Sequence, residues 1–139
     1  MALAPENIRG VNLGGWLMME GYILGGRNIA ERRFKAALKA SCGARHLEEF
    51  EEKFRDTFIT EEDFKNISLM KATAVRVPFN ARLIERRPRA FSEEGFRYLD
   101  RAFSWGRRYG VGVILDLHAA CGPQNEDWHS DSDLSLIHI

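Results

Sequence analysis

The sequence predicts an α/β chain built on a parallel sheet, and three observations carry that prediction. Residues 111–117 form an apolar run with almost no alternation, the pattern of a strand covered on both faces. Residues 74–78 form a second, β-branched run that closes on a proline. Amphipathic stretches of helical period lie between and before these runs, so strands alternate with helices as in βαβ units.

In chain order, residues 8–13 read as the first strand, mostly apolar and broken by Gly14-Gly15. Residues 16–27 hold Trp16, Leu17, Met18, Met19, Tyr22, Ile23 and Leu24 ahead of Gly25-Gly26. That content is too apolar for a solvated loop, so the stretch is expected to pack over something. Asn28 can cap a helix running from Ile29 toward Ala40 and stopped near Gly43. A second helix is expected from about His46 to Thr57, because Leu47, Phe50, Phe54 and Phe58 recur on one face. Glu48, Glu49, Glu51 and Glu52 fall on its other faces and read as a solvated surface rather than a metal or substrate site. Thr60-Glu61-Glu62-Asp63 is a looser capping box opening a helix that ends near Lys71. The strand 74–78 follows, its end set by Pro78, which has no N–H for a ladder. Ser92 caps the next helix, with Phe96, Leu99, Phe103 and Gly106 facing inward and Gly110 as the stop. No internal repeat or low-complexity segment interrupts this order.

The 139 residues are enough for one domain with its own core. Lys plus Arg and Asp plus Glu both number 20, so the formal net charge is zero and nothing points to nucleic acid or an anionic membrane. No apolar run approaches the ~20 residues of a membrane span. The first residues lack a basic region followed by an apolar stretch, so no signal peptide is read and the chain as it stands is expected in the cytoplasm. Cys42 and Cys121 are far apart with no CxxC spacing, as expected of free thiols.

Strand side chains alternate faces. Ile114, Asp116 and His118 therefore share a face, as do Ala74, Arg76 and Pro78 of the preceding strand. Charges on strands covered from both sides must find partners, because unpaired burial is expensive. Arg76, Asp116 and His118 are accordingly expected together on the inner face, near strand ends. For Asp116 the leading reading is a structural ion pair with Arg76, and the other is a place in the site. His118, at the strand end, reads as functional. The long polar loop that follows carries Asn125 and Trp128. A tryptophan among hydrogen-bonding groups suits a sugar, which offers apolar ring faces and hydroxyl edges; loop packing is the alternative. His118, Asp127, His129 and Asp131 are metal-ligand types but match no compact zinc spacing, so no metal is predicted. Cys121 has no identified base and does not read as a nucleophile.

Four blocks, in this order, resemble glycoside hydrolase family 5, nearest to its cellulase and exo-β-1,3-glucanase-like branch. They are Arg9-Gly10-Val11-Asn12-Leu13-Gly14-Gly15-Trp16-Leu17, Ile59-Thr60-Glu61-Glu62-Asp63-Phe64, Val75-Arg76-Val77-Pro78, and Leu115-Asp116-Leu117-His118 with Gln124-Asn125. The resemblance implies an incomplete (β/α)8 TIM barrel, about the first three βα units, from a retaining β-glycosidase. Its partner is then a β-glucan or β-glucoside, with no cofactor. The resemblance further implies that Glu20 and Tyr22 touch the sugar at the cleavage point and that His118 lies near the same sugar. It gives Arg76 the role of steadying the nucleophile carboxylate, and sets Asn125 in the matching loop. Two departures bear on loop shape. Cys121 stands where the branch commonly has proline, which appears here at Pro123, and Gly21 stands where proline often follows the glutamate.

Retaining hydrolysis needs two carboxylates about 5–5.5 Å apart. In the family they come from the ends of the fourth and seventh strands. About three strands are read here, whereas a barrel of about 250 residues has eight, so both catalytic glutamates are expected outside this chain. Glu20 and Glu126 align outside the catalytic positions. The chain alone is then expected to be inactive and, with an open sheet edge, poorly soluble. Two rival readings stand beside this one: a carbohydrate-binding barrel without the carboxylates, and a metal-dependent barrel hydrolase. Residues 134–139, Leu-Ser-Leu-Ile-His-Ile, are what the standard code makes of the transposon-end adapter used in tagmentation libraries. The expected organisation is therefore a barrel part over 1–133 and a sequencing artefact over 134–139, with His138 no ligand.

Overall fold

The computed structural model describes residues 7–87, 89–120 and 131. Its centre is a parallel sheet of three strands, β1 (Gly10–Asn12), β2 (Ala74–Asn80) and β5 (Gly112–Ala119), in the order β1-β2-β5. Two helices, α1 (Glu31–Cys42) and α2 (Ala44–Thr57), meet at Gly43 and are followed by α3 (Glu61–Leu69). A single turn, α4 (Ala81–Ile84), and an antiparallel ribbon of β3 (Glu85–Arg87) with β4 (Ala90–Phe91) lead from β2 into α5 (Glu93–Tyr109). The α/β class and the βαβ order are those expected from the sequence.

The core lies between the sheet and helices α3 and α5. Val75, Val77 and Phe79 alternate along β2 and pack with Trp16, Phe64, Ile67, Tyr98, Leu99 and Ala102. Trp16 is buried, stacks at 6.1 Å on Trp105, and donates its indole N–H to the Arg55 carbonyl at 2.8 Å. The expected capping box closes as a reciprocal pair: the Thr60 amide donates to Asp63 at 2.7 Å, and the Thr60 side chain faces the same residue. Ser92 and Gly110 cap α5 as expected, the glycine at φ 69°.

Several local expectations are corrected. Asn28 does not cap α1; Ala30 holds that position, and Asp131 accepts the Arg32 amide at 2.9 Å. Pro78 does not end β2, which runs on to Asn80. Alternation aims the amides of Arg76, Pro78 and Asn80 toward β1, whose ladder has already finished with Leu13 donating to the Arg76 carbonyl. The missing N–H of Pro78 therefore forfeits no bond. The inner face of α5 is Gly95, Tyr98, Leu99, Ala102 and Gly106, while Phe96 and Phe103 stand exposed. Trp16 to Glu20 is buried as expected, but Tyr22, Ile23 and Leu24 are exposed.

Glu51 is not a solvated helix charge. It pairs with Lys35 at 2.6 Å and with Arg55 at 2.6 Å, while Lys35 also pairs with Glu31, tying α1 to α2. Burial opposes the Lys35 ammonium, but Glu31 and Glu51 outweigh it and hold its pKa above the ordinary 10.5. Burial likewise opposes the Glu51 carboxylate, but Lys35 and Arg55 outweigh it and keep it below the ordinary 4.5. A raised lysine contributes fully below its unfolded pKa and loses that contribution as pH rises through the folded one. A depressed glutamate contributes fully above its unfolded pKa and loses it as pH falls through the folded one. Stability from this network is thus expected to be flat from about pH 5 to about pH 10 and to fall on either side. Urea melts of wild type and Lys35→Met across pH check this, and parallel pH curves for the two proteins would contradict it.

β5 does not have the cover its apolar run predicts. It is an edge strand among the described residues, and Ile114, Leu115 and Leu117 are 44%, 38% and 49% exposed, on both faces. An open edge flanked by bare apolar side chains favours association between copies. Self-association rising with concentration is expected in analytical ultracentrifugation. A monomer at high concentration with a cooperative melt would contradict it.

Candidate functional site

In parallel α/β sheets the ends of the strands, not their middles, build sites. Here four polar side chains meet across the three strands: Asn12 at the end of β1, Arg76 within β2, and Asp116 and His118 in the carboxyl half of β5. Asn12 of β1 lies in register with Arg76 of β2, and Arg76 lies beside Ile114 of β5, two residues before Asp116. The Arg76 guanidinium donates to Asn12 Oδ1 at 2.7 Å and to Asp116 Oδ2 at 2.5 Å. His118 Nδ1 lies 3.1 Å from Arg76 Nη2 and 3.0 Å from Asp116 Oδ2. Sharing one strand face thus joins Arg76, Asp116 and His118, as the period-two argument expects.

His118 Nδ1 faces a group that only donates and one that only accepts, so it serves one of them at a time. Accepting from Arg76 puts the ring proton on Nε2; donating to Asp116 leaves Nε2 as an acceptor. The side chains of Arg76, Asp116 and His118 are 41%, 30% and 29% exposed. The expected Arg76–Asp116 ion pair is present, and the cluster is half-buried.

Glu20 adjoins this cluster. It is 5% exposed, yet among the described residues its carboxylate has no hydrogen-bond or ionic partner. Its Oε2 and the Asn12 amide Nδ2 both crowd the α-carbon of Gly14: a Cβ there would lie 3.1 Å from the first and 3.0 Å from the second. Gly21 accounts for the departure from the Glu-Pro pattern. Any Cβ at this position would stand 1.9 Å from the Arg27 carbonyl oxygen, because the 21–27 turn closes tightly, with the Gly26 amide donating to the Gly21 carbonyl at 2.7 Å. Tyr22, on that turn, is 56% exposed. Asn125 and Trp128 lie outside the described residues, as do Cys121, Asp127 and His129. Asp131 is committed elsewhere, bonded to Asn80 and the Arg32 amide, and no group of three metal-ligating side chains occurs among the described residues.

Sequence reasoning missed Asn12, Asn80 and Glu31. Asn12 carries a faint signal, a polar residue closing an apolar strand. Asn80 and Glu31 carry none, since their burial depends on which chain segments meet at the sheet end.

No family model matches the chain. It is 39% identical over 127 residues to a β-xylosidase from Phanerodontia chrysosporium, covering 90% of this chain and 26% of that protein. It is 37% identical over 130 residues to a glucan 1,3-β-glucosidase from Blumeria graminis, covering 86% of this chain and 30% of that one. Its relatives are glycosidases. The fold is likewise similar to a crystal structure of rutinosidase from Aspergillus niger, with a TM-score of 0.73 at 22% identity over 91% of this chain and 37% of that one. The chain thus spans between a quarter and a third of the length of these curated relatives. The α/β fold, with its partial parallel sheet, is thus similar to part of that rutinosidase structure.

Proposed function

We propose that the chain is the N-terminal part of a (β/α)8 barrel of glycoside hydrolase family 5. Its parent protein hydrolyses β-glucosidic bonds in a β-glucan or β-glucoside with retention of configuration. The observation that carries this reading is the Asn12–Arg76–Asp116–His118 wall, which runs from the end of β1 across β2 to the carboxyl half of β5, with the Glu20 carboxylate, unpaired among the described residues, beside it. In a parallel barrel the carboxyl side of the sheet builds the active site. Glucan 1,3-β-glucosidase recurs among the relatives, which supports a β-glucoside as substrate.

In this reading Arg76, held by Asn12 and Asp116, steadies the nucleophile carboxylate and keeps it ionised. Glu20 accepts hydrogen bonds from sugar hydroxyls, and His118, Tyr22 and Asn125 line the same subsite. Trp128 offers an apolar face to the ring. The acid/base and the nucleophile belong to later strands, because the family resemblance sets the two carboxylates of retaining hydrolysis at the ends of the fourth and seventh strands, and the parallel sheet has three among the described residues. Residues 1–133 are natural barrel sequence and 134–139 derive from a library adapter.

The test begins with long-read resequencing of the source locus from the Trp128 codon onward. The frame is expected to continue past Asp133 without the hexapeptide and to supply a glutamate at the fourth and seventh strand ends. The full-length product should then release β-glucose first from an aryl β-glucoside, while the 139-residue chain releases none. Turnover by the pure 139-residue chain, or an α-anomer as first product of the full-length enzyme, would sink the reading.

A further inference from the structure

At the end of β2, four residues beyond Arg76, lies a second polar cluster, with Glu31, Asn80 and Asp131 buried and hydrogen-bonded. Glu31, the first residue of α1, is 4% exposed. One of its oxygens, Oε2, accepts the Met19 amide at 3.2 Å and the Asn80 side-chain amide at 3.1 Å, and the other pairs with Lys35. Asn80 gives the same nitrogen to Asp131 Oδ2 at 2.8 Å, and Asp131 Oδ1 accepts the Arg32 amide. Four separate parts of the chain meet here: the run after β1, the end of β2, the start of α1, and Asp131.

Met19 immediately precedes Glu20, and the contrast between the two buried glutamates is informative. Glu31 is saturated with donors, whereas Glu20 has none among the described residues. A buried carboxylate left without partners is expensive and would turn to water if its backbone allowed. Its backbone is held on both sides. The Glu20 carbonyl accepts the Ile23 and Leu24 amides, and Gly21 is wedged against Arg27. The Met19 amide is bonded to Glu31.

We infer that Glu31 is a positioning residue that, through the Met19 amide and Asn80, fixes the turn holding Glu20 buried beside Asn12, without a partner among the described residues. The name of what Glu20 awaits, a sugar hydroxyl, rests on the function proposed above; the clamp itself does not. Glu31 touches no ligand. It keeps a hydrogen-bond acceptor organised before the ligand arrives, so that binding need not order it.

Amide exchange of the 16–20 segment in the 139-residue chain tests the clamp directly. In wild type the Met19 amide, outside any ladder, should exchange as slowly as amides of β2. In Glu31→Ala it should exchange about tenfold faster or more, the effect of losing one charge-assisted bond. Glu31→Gln, which keeps a carbonyl oxygen for Met19, should restore part of the protection. An unprotected Met19 amide in wild type overturns the inference even if the alanine variant fails to fold. So does protection unchanged in Glu31→Ala.

Titration with methyl β-glucoside separates the clamp from the sugar reading. Glu20→Gln and Glu31→Ala should each weaken binding, and the double variant should bind no more weakly than Glu20→Gln alone. Fully additive losses would mean that Glu31 acts independently of Glu20 and would overturn the inference. A wild type that binds no glucoside but protects Met19 sinks the sugar reading and leaves the clamp standing.

Discussion

Asn80→Asp is expected to cost about 3–5 kcal/mol of folding free energy, the penalty of an uncompensated buried charge. The substitution is nearly isosteric, and the retained oxygen can still accept the Arg82 amide that Asn80 Oδ1 accepts at 3.0 Å, so the cap on α4 survives. What changes is the nitrogen, which now bonds Glu31 at 3.1 Å and Asp131 at 2.8 Å. An oxygen in its place donates nothing and sets a third carboxylate between two others. Among the described residues Lys35 is the cation paired with Glu31, and Arg82 stands 4.0 Å from Asp131 and mostly in water. Repulsion raises the pKa of the new group in the folded state, so its destabilisation is greatest at neutral pH and shrinks as pH falls and the folded state takes up the proton. Urea unfolding at neutral and acid pH measures both effects. An equal cost at both would mean that charge is not the cause.

Arg76→Ala in the full-length parent is expected to lower kcat by about 10²–10³, the usual consequence of removing one preorganised charged donor from a reaction centre. KM should change less, because the residue is proposed to hold the nucleophile rather than the sugar. Arg76→Lys should recover only part of the rate. The guanidinium reaches Asn12 through one nitrogen and Asp116 through another, and a single ammonium cannot match that fork. The pH profile should shift as well, since the nucleophile loses the cation that keeps it ionised. A variant with unchanged kcat and raised KM would reassign Arg76 to substrate binding.

The period-two argument read the wall well, because Arg76, Asp116 and His118 each follow from alternation along one strand and from the need to pair a charge. Asn12 was harder. Its place depends on the register between two strands whose contacting residues are 64 positions apart, and no local pattern records register. The inner face of α5 was right at Leu99 and Gly106 and wrong at Phe96 and Phe103, because phenylalanine outweighs glycine and alanine in any hydrophobic count. Close packing prefers the small residues: Gly95 touches the Leu83 carbonyl and Gly106 the Val111 carbonyl, so the helix turns its least bulky side inward. α4 and the β3–β4 ribbon escaped notice because residues 81–91 are rich in arginine and follow neither the helical nor the strand period. Glu51 misled for the opposite reason. A run of glutamates on an amphipathic helix normally faces water, and only the approach of Lys35 from α1 turns one of them inward.

The short reach of β1 bears on the order in which the sheet assembles. β1 contributes three register pairs to β2, while β5 contributes seven. The loop closed by the Asn12–Arg76 contact spans 64 positions, against 40 for Arg76–Asp116. That difference alone is worth only about 0.4 kcal/mol of closure entropy. Fewer pairs set against a longer loop nonetheless make β1 the late partner, docking onto a β2–α5–β5 unit that has already condensed. Asn12 and Glu20 both ride on that late segment. The rate at which the wall is completed is then the rate of one docking event, and substitutions in β1 should speed unfolding far more than they slow folding.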